Sequence, residues 1–216
     1  MPPSAKLIDL RALLAQRFPE KVRRSGGVVP TGARQVDLTL HGGLPLSRTT
    51  ELVCASPGCG GQSLFARLLA ATRATRQRLA LVDGADAFAP DELPSDLLRH
   101  LVWVRTSGAE QALAAADLIA HDGNYTVLAL DVRDLPERDL RRLPAPLWYR
   151  LQRTVEDSSL ALLVLTPFPL VPSVAWRLSL DSPLSLGDHR TPSDALADVL
   201  EPALVRASTA ALSAAG

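Results

Sequence analysis

The sequence predicts an α/β fold: a mostly parallel central sheet flanked by helices, preceded by an N-terminal helix. Three observations carry this prediction. From Thr49 onward, apolar runs that read as strands alternate with helical patterns, and that alternation calls for a parallel sheet covered by helices. Each strand run is nearly continuous in apolar residues, as strands buried on both faces are. A glycine-rich loop joins the first of these strands directly to the first helix of the series.

In chain order, residues 4–18 carry Leu7, Leu10, Leu14 and Phe18 at helical spacing, and Pro19 stops the pattern. Such an amphipathic helix either folds back on its own core or docks on a neighbour. Ser25 to Pro30 form a turn-rich linker; Thr31, Gly32, Val36, Leu38 and Leu40 then lead into a glycine turn, Gly42-Gly43-Leu44-Pro45. Strands are expected at 49–54, 79–83, 101–105, 125–131, 160–166 and 174–180, and helices at 62–76, 108–121 and 146–156. The long connection is the proline-containing 132–146. In the stretch 193–215, Leu196, Val199, Leu200, Ala203 and Leu204 recur at helical spacing, with Pro202 kinking or restarting the helix. The expected division is an N-terminal helix and linker (1–27), a core (28–190) and a C-terminal helical tail (191–216).

The 216 residues suffice for one sizeable core. Lys plus Arg and Asp plus Glu balance at 23 each, so no global charge drives binding to nucleic acid or membranes. Met1 to Asp9 is neither basic nor followed by a long apolar run; the expectation is a cytoplasmic protein without leader or membrane span. Cys54 and Cys59 are too few for a disulfide framework or a metal site, and two reduced thiols are expected.

The stretch from Thr49 to Leu64 has the frame of a phosphate-binding loop without its chemistry. A working loop reads GxxxxGK[ST]: backbone N–H groups and the helix N-terminus cradle phosphates, the lysine reaches the β and γ phosphates, and the hydroxyl ligates magnesium. Here Ala55 stands at the first glycine, Gly58 and Gly60 lie inside the loop, Gly61 stands at the lysine and Gln62 at the hydroxyl. A one-residue slide makes Ser63 a candidate magnesium ligand, but no lysine follows Lys21, and the nearest downstream arginine, Arg67, is a turn into the helix and points away. A tight strand-to-helix turn and a nucleotide site both remain open on this pattern.

Asp83 and Asp131 end two strands at the edge where open α/β sheets place ligands, as a water-mediated magnesium holder or as a cap of the next segment. Thr166-Pro167-Phe168-Pro169 ends a third strand and offers no carboxamide or charge to sense a phosphate. His41, His100, His121 and His189 are scattered and read as solvated or capping residues. Arg138, Arg141, Arg142, Arg150 and Arg153 are the candidate nucleic-acid patch, but Asp134, Glu137, Asp139, Glu156 and Asp157 accompany them, as on a mixed solvated face.

Pro30-Thr31-Gly32, Leu38, Gly42-Gly43-Leu44-Pro45, Thr50-Glu51-Leu52 and the glycine loop resemble the opening of the bacterial recombinase RecA. The resemblance continues through Leu81 to Pro90, Ser107 to Leu113, the strand ending in Asp131, and Ser173 to Leu178. It spans residues 28–180 and rests on order and spacing. The departures matter more. RecA's phosphate lysine falls on Gly61, its water-polarising glutamate on Ala85, and its γ-phosphate-sensing glutamine in Thr166 to Phe168, where none stands. Only Pro167 to Pro172 occupy the place of its second DNA loop, and the first is not identifiable in 132–146.

A RecA-like chain of this size with a degenerate loop is similar to the ImuA family, described as SulA-like or RecA-like mutagenesis proteins. That resemblance implies a non-enzymatic accessory of damage-induced translesion synthesis, without a cofactor. The implied partners are RecA, an ImuB-type Y-family polymerase homologue and, indirectly, an error-prone replicative polymerase. It implies weak or no direct DNA binding, a cytoplasmic and at times nucleoid-associated location, and no membrane. It places Leu7, Leu10, Leu14 and Phe18 in the helix by which RecA subunits join, so that the chain would cap a filament. Leu196, Val199, Leu200 and Leu204 are a candidate ImuB-docking helix, with cover of the chain's own sheet as the alternative for both. A SulA-like inhibitor of cell division and an ATP-dependent RecA paralogue are the competing classes.

Overall fold

A computed structural model of the chain describes residues 27–181 and 196–208; the expected N-terminal helix, with Leu7, Leu10, Leu14 and Phe18, lies outside the described residues. The first described elements form a small lobe in which β1 (Val28–Val29) pairs antiparallel with β2 (Leu44–Pro45) around helix α1 (Arg34–Thr39). The Asp37 carboxylate fixes it by accepting the N–H groups of Thr31 (2.8 Å) and Gly32 (3.1 Å) and the Thr31 hydroxyl (2.7 Å). At Gly43, with φ +136°, a Cβ would collide with the Val29 carbonyl and come within 2.7 Å of Pro30 Cα, so only glycine lets the turn close.

The main sheet has seven strands, β3 (Arg48–Val53), β4 (Leu79–Asp83), β5 (Leu101–Arg105), β6 (Val127–Asp131), β7 (Ala161–Thr166), β8 (Trp176–Ser179) and β9 (Ala203–Ala207). Their spatial order is β5-β4-β6-β7-β3-β8-β9, parallel throughout except for antiparallel β9 against β8. The remaining helices are α2 (Gly61–Ala74), α3 (Ser95–Leu98), α4 (Ala109–Asp122), α5 (Glu137–Arg141) and α6 (Ala145–Glu156). The strands and long helices expected from the sequence form within a few residues of their expected bounds.

Continuous apolar runs make sense here because alternate side chains enter two separate cores. On one face Leu79, Leu81, Val127, Ala129, Leu163 and Leu165 pack under α2 through Leu64, Phe65, Leu68 and Leu69. On the other, Ala80, Val82, Leu128, Leu130, Leu162 and Val164 pack under α4 and α6 through Ala112, Leu113, Ala116, Trp148 and Leu151. Each fully buried leucine contributes about 1.5–3 kcal/mol relative to exposure, so both layers hold the sheet.

The C-terminal stretch corrects the helical expectation. Residues Ala197–Val199 make a single 3-10 turn, and Ala203–Ala207 extend as β9, so Leu204 lies on a strand. Pro202 cannot supply the N–H that a continuing helix needs, while the free edge of β8 offers ladder partners. Ala197 and Leu200 are buried in the α2-side core and Leu196 is buried beside the loop pocket, so the described part of this segment belongs to the fold rather than to a separable tail. Arg67 ties it down, donating from Nε to the Gly32 carbonyl (3.1 Å) and from Nη2 to Asp198 (3.0 Å). Among the described residues no helix is long and apolar enough to cross a membrane.

Candidate functional site

Strand β3 delivers the chain into the loop at Cys54, and α2 begins at Gly61 behind Gly60, whose left-handed backbone (φ 91°, ψ 8°) serves as the N-cap. Leu64 N–H donates to the Gly60 carbonyl at 2.9 Å, the first turn of a regular helix. The strand-loop-helix frame is therefore formed. The loop, with Ala55 and Gly58 exposed and Gly61 and Ser63 buried, lines an open pocket of about 640 Å³ together with Gln62, Ala87, Ala89, Arg133, Asp134, Pro167 and Leu196.

The positions that would handle a nucleotide are occupied by the protein itself. A Cβ at Gly61, the lysine position, would meet Arg133 Nη1 head-on and lie 3.0 Å from Arg133 Cζ and 3.1 Å from Cys54 Sγ. Arg133 comes from just beyond β6 and is gripped by Asp131, which accepts from Nε (2.9 Å) and Nη2 (2.5 Å) and from the Arg133 N–H (3.1 Å). Burial works against the guanidinium charge, but the Asp131 carboxylate more than offsets it and holds the group protonated well above its ordinary range. An arginine thus does reach the loop, although neither Arg67 nor any other nearby residue supplies it. Asp131, open between metal holder and cap from sequence, is the arginine's counter-ion.

Asp83, the other strand-end carboxylate, is 2 % exposed and accepts N–H groups from Ala85 (3.3 Å), Ala87 (3.1 Å) and Phe88 (3.0 Å) and from Trp103 Nε1 (3.3 Å). It caps the segment that follows it, which is the second of its two readings. At Gly60 a Cβ would strike Leu200 Cδ2 and lie 3.4 Å from its Cγ, so the C-terminal segment seats a leucine directly on the loop. Leu196 and Leu200, expected to face a partner, are core residues, whereas Val199 (53 %) and Leu204 (46 %) remain exposed beside Val205 (55 %).

The two thiols complete the loop. Both are free and buried, and the Cys54 S–H donates to the Cys59 sulfur. That bond, the Gly61 N–H and the nearby Arg133 charge lower the Cys59 thiol from its usual value to about 6 against the opposing effect of burial, while the same bond and burial push Cys54 up. The group that meets the N-terminus of α2 is therefore a protein thiol with a lowered pKa. Among the described residues no group of three or more His, Cys, Asp and Glu is placed to hold a metal ion.

Elsewhere the expected surface features carry their own counter-charges. Arg138 lies 3.4 Å from Asp139, Arg141 pairs with Glu137 at 2.6 Å and stacks over Phe168 at 4.3 Å, and Arg142 is exposed. His121 contacts the Asp117 carbonyl at 2.7 Å, and His41 lies edge-on to Trp176 at 5.7 Å. His100 departs from the solvated reading, since its Nε2 is buried without a hydrogen bond; His189 lies outside the described residues.

Sequence reasoning missed a buried cluster under the short connection between β7 and β8. Glu51, fully buried in β3, accepts from Arg177 Nε (2.5 Å), the Thr166 hydroxyl (3.1 Å) and the N–H groups of Leu170 (2.7 Å) and Val171 (3.0 Å). Arg177 Nη2 donates to the Val171 carbonyl at 2.8 Å. The signal was available: an acid stands directly before the apolar Leu52 to Cys54 and a base between the apolar Trp176 and Leu178. No protein-family model and no curated protein sequence matches the chain.

Proposed function

We propose that the chain is a non-enzymatic, ImuA-like accessory protein of damage-induced translesion synthesis. It acts by contacts with RecA and an ImuB-type polymerase homologue, and through the latter with an error-prone replicative polymerase. The observation that carries this reading is the Arg133–Asp131 pair at Gly61: the cation, its counter-ion and the room for a side chain at the lysine position are all committed to internal structure. Such a loop braces a fold rather than turning over nucleotide. The tied-down connection on Glu51 supports the same reading, since no extended loop stands there to wrap a DNA strand.

The exposed Val199, Leu204 and Val205 around edge strand β9 replace the helical stripe as the candidate surface for the polymerase homologue. An added strand on this edge would use main-chain hydrogen bonds for affinity and the exposed side chains for specificity. The test is co-purification of the full chain with RecA and with the ImuB-type protein, alongside calorimetry with Mg-ATP. Binding to at least one protein and none to nucleotide is expected. Micromolar affinity for Mg-ATP, or failure to bind either protein, overturns the reading.

A further inference from the structure

Buried free cysteines pack as small hydrophobes, but two of them in one loop also carry sulfur chemistry that bracing a strand-to-helix turn does not use. Cys59 is flanked by Gly58 (φ +76°) and Gly60 (φ +91°), so its backbone is held by two residues of high conformational freedom. Cys54 lies at the end of β3, and its Sγ is 3.1 Å from where a Cβ on Gly61 would stand. Both cysteines are among the residues that line the open pocket at the loop, although each is mostly covered.

We propose that Cys54 and Cys59 are an oxidisable dithiol, with Cys59 the attacking and Cys54 the resolving sulfur, closed to an intramolecular disulfide by a hydroperoxide. The Cys59 thiolate attacks the terminal peroxide oxygen; the O–O bond breaks, Cys59 becomes a sulfenic acid, and the departing alkoxide takes the Cys54 proton. The Cys54 thiolate then attacks the Cys59 sulfur and expels hydroxide, which solvent protonates. Two sulfurs are oxidised and the peroxide is reduced to an alcohol and water. Reactivity of this kind belongs to thiols beside a cation and at a helix N-terminus. In reducing compartments the resulting bonds are transient and serve as sensors. Closure removes a thiol charge beside Arg133, leaving it the carboxylates of Asp131 and Asp134, and Cys59 is one residue from Gly60, on which Leu200 is seated. The inference stands independently of the partners proposed above.

The test exposes the folded full chain to hydrogen peroxide, blocks residual thiols with N-ethylmaleimide in denaturant, and reads the intact mass and the linked peptides. Expected are loss of two hydrogens, no maleimide uptake and a Cys54–Cys59 cross-link. Cys54→Ser should stop at a sulfenic acid trapped by dimedone, and Cys59→Ser should oxidise about tenfold or more slowly. Two maleimides on the peroxide-treated wild type, or cross-links between chains instead of within one, overturn the proposal. The peptide map needs only the wild type, so it decides even if a serine variant fails to fold.

Discussion

Arg133 stands where the first carbon of a side chain at Gly61 would have to be, and Asp131 holds it there through two side-chain hydrogen bonds. Restoring the lysine is therefore not a one-residue change. Gly61→Lys should lower stability by about 1–3 kcal/mol, as overpacking does, and gain no measurable Mg-ATP affinity. Pairing it with Arg133→Ala should recover part of the loss. Urea unfolding of the two variants with calorimetry checks this; full stability in the single variant would mean that Arg133 is free to leave.

The seat of Leu200 on Gly60 makes the C-terminal segment structural. Leu200→Ala should cost about 2–5 kcal/mol, the range for a buried leucine. Leu204→Asp, at an exposed position, should stay within about 0.5 kcal/mol of wild type while weakening capture of the polymerase homologue. Thermal denaturation and a pull-down separate the two effects.

Glu51 and Arg177 form a buried ion pair, side chains 0 % and 15 % exposed. Removing one partner leaves the other charge uncompensated, so Arg177→Met should cost about 3–5 kcal/mol. A Glu51→Gln/Arg177→Met double variant should lose less than the sum of the singles, which a double-mutant cycle in urea measures directly.

Thiolate absorbance near 240 nm should rise as pH is raised through about 6, the value to which Cys59 is lowered. Its charged form predominates above that pH, and Cys54 should remain protonated throughout the neutral range. Asp131 and Arg133 are the charged groups facing the pair. Arg133→Met should move the midpoint upward, because a cation that favours the thiolate is gone.

Affinity for single-stranded DNA should be weak and fall steeply with salt. Arg141 is engaged by Glu137 and Phe168, leaving Arg142 as the more available contact. Arg142→Ala should reduce the salt slope by about 1 in fluorescence anisotropy titrations; tight binding at physiological salt would reveal a site elsewhere.

Strands such as Val127–Asp131 and Ala161–Thr166 were legible in the sequence because a strand buried on both faces must be apolar at every position. The strand-loop-helix frame was legible because glycines punctuate it. Arg133 was not, because its link to Gly61 is made across the sheet, from the end of β6 past β7 to the loop after β3, by segments far apart in the chain. The C-terminal strand was hidden by Leu196, Val199, Leu200 and Leu204, whose spacing also fits a helix; tertiary pairing with β8 decided the outcome, and Pro202 was the local sign of it.

The buried carboxylate of Glu51 also orders events during synthesis. Its partners all lie between residues 166 and 177, with Arg177 126 positions later in the chain. Chains emerge N-terminus first, so β4, β5 and β6 are made before β7 and β8. On the ribosome, β4, β5 and β6, which are contiguous in sequence and adjacent in the sheet, can pair before β7 and β8 exist. The strand carrying Glu51 has neither neighbour at that stage, and seating it would strand a charge. The first strand of the main sheet to be translated should thus be among the last to be inserted, with the glycine loop taking its shape once β7 and β8 flank it.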